Sequence, residues 1–174
     1  DEIDHEEYSE EYITSVNKTY SKMCSQKQVM PRIVAELTPS LNETILDFGA
    51  GKDAYGTLFL RAEGYKHVTA YEIGDNFVPG VHDRGAINGQ YSTIFANNVL
   101  NVQPGILEVV DVLMRIQNLM MRGGKFICNY PLNPRKSDMS VELLEGLLNL
   151  AFYGGVARVK KSGYRTPMWV CKYE

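Results

Sequence analysis

Thr44-Ile45-Leu46-Asp47-Phe48-Gly49-Ala50-Gly51-Lys52-Asp53-Ala54 is the stretch that decides the fold. Its first five residues form a short apolar run, which predicts a strand buried on both faces. Gly49 and Gly51 predict a tight turn, because a residue without Cβ tolerates left-handed backbone and close approach. Residues 54–63 predict a helix stopped by Gly64. His67-Val68-Thr69-Ala70-Tyr71 predicts a second strand that ends on Glu72. The result is a βαβ unit with a glycine turn at the carboxyl end of its first strand.

Upstream, residues 6–18 predict a helix with Tyr8, Tyr12 and Val16 on one side. Residues 28–37 predict another, with Pro31 in its first turn and Val29, Ile33 and Leu37 sharing a face. Downstream, residues 74–90 carry Pro79 and several glycines, leaving room for one short strand near Val81. Residues 92–96 predict a buried strand running into Asn97-Asn98-Val99-Leu100-Asn101. Pro104-Gly105 opens a long amphipathic helix with Ile106, Val109, Val110, Leu113, Ile116 and Met120 at helical spacing, ended by Gly123-Gly124. Residues 125–129 predict a further strand. Ser140 is the N-cap of a helix reaching Phe152, with Leu143, Leu144, Leu147, Leu148 and Ala151 inward. Residues 155–160 and 168–173 predict two closing strands, and the 161–167 connection suits an antiparallel hairpin.

The chain has 174 residues, 44% hydrophobic and 22% charged. That suits one compact domain at 28–174, preceded by an acidic, partly helical extension at 1–27. Net charge is −3, so the overall balance does not select a polyanionic partner. The distribution is asymmetric: the first eleven residues are strongly acidic, and the part from Arg122 onward is net basic. Cys24, Cys128 and Cys171 show neither metal-ligand spacing nor a disulfide framework, so buried free thiols, no metal and a cytoplasmic location are expected. No apolar run reaches the length of a membrane span, so no membrane partner is expected.

The string from Ile45 to Asp53, the Ala70-Tyr71-Glu72 strand end and the order of elements resemble class I S-adenosylmethionine-dependent methyltransferases. The Asn98-Val99-Leu100-Asn101-Val102 string also resembles small methyltransferase-like proteins of bacteriophages. The resemblance spans residues 28–174. It implies an α/β, Rossmann-like, mostly parallel sheet with helices on both faces and a C-terminal antiparallel hairpin. It also implies S-adenosyl-L-methionine as cofactor, bound by Asp47, Gly49, Ala50, Gly51, Glu72, Ile73, Asp83 and Asn97. The spacing from Gly51 to Glu72, about 20 residues, suits a dinucleotide-type unit. Glu72 at a strand end can accept both ribose hydroxyls. Asp47 would orient the glycine turn or meet the cofactor's amino group. Asp83 would meet the adenine amino group, and it also fits an ordinary turn with Gly85. Asn97, Asn98 and Asn101 would lie near the methyl, and they equally suit caps of the next helix. Asn98 and Tyr130 are the candidate catalytic residues, as orienting groups for the acceptor, with Tyr12 and Tyr20 as lid candidates.

The sequence departs from the family pattern in two places. Asp53 stands where a third glycine is usual, and the next glycine is Gly56. The 73–91 segment is too short for a strand with two full crossover helices. Lys52-Asp53 also lacks the Ser or Thr and the upstream glycine of a phosphate-binding P-loop. The Pro-Pro-aromatic string of amino-directed DNA methyltransferases is missing after the fourth expected strand, as is a Pro-Cys pair for cytosine attack. The acceptor stays open between a small molecule and a nucleic acid, the latter through Arg135 and Lys136. Another S-adenosylmethionine-consuming enzyme such as a lyase or hydrolase, a dinucleotide oxidoreductase and a non-catalytic binding module also remain open.

Overall fold

β1 (Thr44–Phe48) and β2 (His67–Tyr71) pair in parallel, Thr44 opposite His67 and Phe48 opposite Tyr71. In this computed structural model they anchor a six-stranded sheet ordered β2-β1-β3-β4-β6-β5. β3 (Tyr91–Ala96) and β4 (Met120–Asn129) continue the parallel part. β5 (Val156–Arg158) and β6 (Met168–Lys172) form the antiparallel closing hairpin, and β6 pairs with β4. The structure describes residues 8–17, 29–134, 137–160 and 164–174, with backbone alone at 15–17.

Strand side chains alternate between two helical layers. Ile45, Phe95 and Ile127 face one core with Met30, Ile33 and Val34 of α2 (Val29–Leu37) and Leu60 of α3 (Tyr55–Ala62). Leu46, Ile94 and Phe126 face the other core with Val109 and Leu113 of α4 (Ile106–Leu119) and Leu144 and Leu148 of α5 (Val141–Ala151). Ser140 caps α5, its hydroxyl accepting the Leu143 N–H at 3.1 Å. Tyr8, Tyr12 and Ile13, of which the last two lie on α1 (Glu10–Asn17), pack against the α4/α5 core.

Several sequence expectations give way to packing. α2 buries Met30, Pro31, Ile33 and Val34, while Leu37 is exposed. On α5, Leu143 is exposed and Val141 is buried. α4 ends at Leu119, and Met120 already pairs with Tyr91 as part of β4. Gly123-Gly124 does not end the helix; it makes a bulge within that strand. From Tyr91/Met120 to Thr93/Lys125, β4 advances five residues while β3 advances two. Gly123 supplies φ +79°, and a Cβ on Gly124 would stand 2.8 Å from the Met121 carbonyl oxygen. Only glycine fits both demands.

No strand forms at Val81. Residues 74–90 hold two 3-10 turns, Gly74–Asn76 and Arg84–Asn88, and a single bridge between Pro79 and His82. β2 is therefore an edge strand. Its outward carbonyls are capped locally, Val68 by the Arg61 guanidinium at 2.7 Å and Ala70 by the Asp83 N–H at 2.8 Å. Such capping blunts an edge against stray pairing.

Candidate cofactor and acceptor site

The glycine turn leaves β1 at its carboxyl end. Gly49 and Ala50 both donate their N–H to the Tyr71 carbonyl at 3.0 Å. Gly49 and Gly51 each have φ +76°. A Cβ on Gly49 would lie 2.6 Å from Val99 Cγ2, so backbone and the post-β3 segment meet there with no room for a side chain. Gly51 is held from two sides. Its N–H donates to Glu72 Oε2 at 2.7 Å, and its carbonyl lies 2.6 Å from His82 Nε2. Glu72 Oε1 accepts the Ile73 N–H at 2.9 Å. Burial raises the Glu72 carboxyl above its ordinary range, against the pull of those two backbone donors.

Asp47 sits beneath the turn, 2% exposed, and accepts the Thr57 hydroxyl at 2.9 Å. Its pKa is pushed up to about 7, first by burial and further by the neighbouring Glu72 charge. A Cβ on Gly56 would stand 3.0 Å from Asp47 Oδ2 and 3.1 Å from the Phe95 ring. Gly56 thus supplies the close helix–strand packing that the third glycine of a dinucleotide-type motif normally supplies. Ala54, just before α3, adopts left-handed backbone at φ 47°. Left-handed backbone in a residue with Cβ stores strain, and such strain gathers at functional sites.

A second cluster forms at the carboxyl ends of β3 and β4. Asn98 is the other non-glycine residue with positive φ among those described, at +57°. Its N–H donates to Asn129 Oδ1 at 2.7 Å. The Asn129 amide nitrogen faces Asn97 Oδ1 at 3.0 Å, Asn98 Oδ1 at 3.1 Å and the Tyr164 hydroxyl at 3.4 Å. Asn129 is fully buried, while Asn97 and Asn98 are half-buried. Nearby in the chain, Asn101 Oδ1 is a buried acceptor with no hydrogen-bond partner.

α1 packs against the 74–76 turn that follows Glu72 and Ile73. The Tyr12 hydroxyl donates to Gln103 Oε1 at 2.5 Å, and Gln103 Nε2 donates to the Val99 carbonyl at 2.9 Å. Tyr8 stacks on Tyr12, and the Arg115 guanidinium lies over the Tyr8 ring. The helix is therefore tied, through Gln103 and Val99, to the segment that presses on Gly49.

Two clusters hold most of the predicted site residues. Asp47, Gly49, Ala50, Gly51, Glu72 and Ile73 converge at the ends of β1 and β2, and Asn97 and Asn98 gather around Asn129. Asp83 has an exposed carboxylate that accepts the Gly85 N–H at 2.8 Å and caps the 84–88 turn. Tyr130 is fully buried, and its hydroxyl donates to the Met139 carbonyl at 2.6 Å, a bond that holds the segment after β4. Arg135, Lys136, Tyr20 and Cys24 lie outside the described residues. Sequence reasoning missed His82, Asn129, Gln103 and Tyr164. The signals were faint: a histidine in a glycine-rich segment, and an amide at the end of a buried strand. Among the described residues no group of three or more His, Cys, Asp or Glu is placed to hold a metal. Nor is any described helix long and apolar enough to cross a membrane.

No sequence-family profile matches the chain, and no curated protein sequence matches it. Solved structures do. Magnesium protoporphyrin IX methyltransferase from Synechocystis PCC 6803, with bound SAM, superposes with a TM-score of 0.62 at 16% identity, over 86% of this chain and 80% of that one. CalS10, an amino pentose methyltransferase from Micromonospora echinaspora, gives 0.61 at 12% identity, over 96% and 98%. The 16S rRNA N2 G1207 methyltransferase of T. Thermophilus gives 0.62 at 16% identity, over 90% of this chain and 45% of that one. The fold is that of the class I S-adenosylmethionine-dependent methyltransferases, mostly parallel with the antiparallel C-terminal hairpin.

Proposed function

We propose that the chain is an S-adenosylmethionine-dependent methyltransferase whose cofactor lies across the carboxyl ends of β1, β2 and β3. The carrying observation is the cradle at Gly49 and Gly51. Two left-handed glycines bring bare backbone against Val99, and the Glu72 carboxylate is fixed beside them. A carboxylate offers about four lone-pair sites. Gly51 and Ile73 use two, leaving one on each oxygen for a ribose hydroxyl. Ile73 offers an apolar wall to the adenine, and Asp83 an acceptor for its amino group. Asn97, Asn98 and the unpartnered Asn101 oxygen offer amide groups toward the methionine end and the acceptor.

The bound cofactor supplies an activated sulfonium methyl for displacement by an N, O or C nucleophile. The chain's own contribution is positioning, which can account for much of such a rate enhancement. Asn98, fixed at positive φ by Asn129, orients the acceptor. Tyr130 acts indirectly, through its hydroxyl bond to the Met139 carbonyl. Those neighbours methylate a porphyrin, a sugar and a ribosomal RNA, so likeness to them leaves the acceptor open. A nucleic-acid acceptor would engage Arg135 and Lys136. The proposed location is the cytoplasm, where buried thiols such as Cys128 and Cys171 stay reduced.

Calorimetric titration tests the cofactor. S-adenosylmethionine and S-adenosylhomocysteine should give heat and NAD none; NAD alone giving heat overturns the reading in favour of an oxidoreductase. Labelled-methyl transfer to a broad acceptor panel separates a methyltransferase from a binding module. For a nucleic-acid acceptor, Arg135→Ala with Lys136→Ala should flatten the salt slope of binding by up to about two units.

A further inference from the structure

The strongest unused feature is the buried imidazole of His82, in the irregular segment that stands where the family has a third strand. His82 is 6% exposed. Its Nδ1 accepts the Val78 N–H at 2.8 Å, so Nδ1 carries no proton. Its Nε2 is 2.6 Å from the Gly51 carbonyl oxygen, which can only accept. The proton of the neutral ring therefore sits on Nε2 and is donated to Gly51. That carbonyl also accepts the Ala54 N–H at 3.2 Å, at the start of α3. Gly51 is gripped by its N–H from Glu72 and by its C=O from His82, at a residue whose φ of +76° few side chains tolerate.

We infer that His82 is a positioning residue for the glycine turn, and that losing its Nε2–H donor loosens the turn and weakens cofactor binding. The inference rests on the proposed use of that turn to hold S-adenosylmethionine. Phe77 lies against the imidazole at 5.8 Å, and the Arg84 guanidinium stacks over that phenyl.

The test compares the full chain with His82→Gln and His82→Ala in S-adenosylhomocysteine titrations at pH 8. Glutamine keeps an N–H donor. His82→Gln should bind within about threefold of wild type, and His82→Ala about tenfold more weakly, the equivalent of one hydrogen bond. Wild-type affinity in His82→Ala, or no rescue of affinity by His82→Gln, overturns the inference. Nitrogen NMR of the ligand-free wild type gives an independent readout. An Nε2–H tautomer supports the clamp, and an Nδ1–H tautomer removes it, even if His82→Ala fails to fold. Wild type that binds neither cofactor form defeats the methyltransferase reading, while the tautomer still decides the clamp.

Discussion

Glu72 Oε2 accepts the backbone N–H of Gly51 at 2.7 Å, joining the end of β2 to the turn that follows β1. The same carboxylate is the proposed ribose acceptor, so it acts twice. Glu72→Ala should weaken S-adenosylmethionine binding about 10- to 100-fold, from about 1.5–3 kcal/mol for bonds to a charged group. Glu72→Gln keeps one acceptor oxygen and should fall between wild type and alanine. Calorimetry on thermally intact variants reads both. Unchanged affinity in Glu72→Ala would reduce the carboxylate to a brace for the turn.

Gly49 and Val99 define the tightest approach in the cradle. Gly49→Ala places a Cβ 2.6 Å from Val99 Cγ2 and forces φ +76° on a residue that resists it. The left-handed backbone alone costs about 1–2 kcal/mol. Gly49→Ala should lower the unfolding free energy by at least that amount and abolish measurable cofactor binding. Adding Val99→Ala should restore part of the stability, because the clash and the strain are separable. Urea titration of the two singles and the double checks this; strict additivity would mean that the contact is not tight.

Asp47 gives stability a pH dependence of unusual sign for an aspartate. Its pKa of about 7 lies above the ordinary value of 3.8. Between those values the folded chain binds more protons than the unfolded one, so this group's contribution falls as pH rises from about 4 to 7. The raised Glu72 carboxyl acts in the same direction. Asp47→Asn stays neutral throughout and should lose less stability than wild type between pH 5 and 8. Melting curves at the two pH values measure the difference. A variant that tracks wild type at both would place the Asp47 pKa near its ordinary value.

Asn98 separates strain from function. Asn98→Gly relieves a left-handed residue and should leave stability within about 1 kcal/mol of wild type. It also removes the amide that Asn129 holds, so methyl transfer should drop at least tenfold with cofactor affinity little changed. Asn129→Ala removes the support of both neighbours, Asn97 and Asn98, and should lower turnover similarly. Transfer assays paired with calorimetry distinguish these effects. Full turnover in Asn98→Gly would exclude that side chain from acceptor orientation.

The first half of the site was legible in the sequence because its signals are local. β1 and β2 are apolar runs bounded by a glycine turn and an acidic end, and their observed limits match those expected. The closing hairpin and the Ser140 cap were legible for the same reason. By itself the sequence determined the βαβ unit, the α/β class and the convergence of Gly49, Gly51 and Glu72. Backbone conformation and apolar periodicity are properties of neighbouring residues.

Tertiary structure alone decided the rest. Met120 continues the helical spacing of Ile116, yet pairing with Tyr91 draws it into β4. Cys128 and Cys171 are 43 positions apart, yet the β4–β6 register sets them in one core, where burial raises the Cys128 thiol. Asn129 reads as an unremarkable strand end until β3 and β4 align and its amide meets Asn97 and Asn98. His82 stands 31 residues from Gly51 in a segment without periodicity. Its role exists only because the 74–90 segment folds back along β2 and aims the ring at that carbonyl. Hydrogen bonds between distant residues depend on register and chain path, which no local pattern encodes.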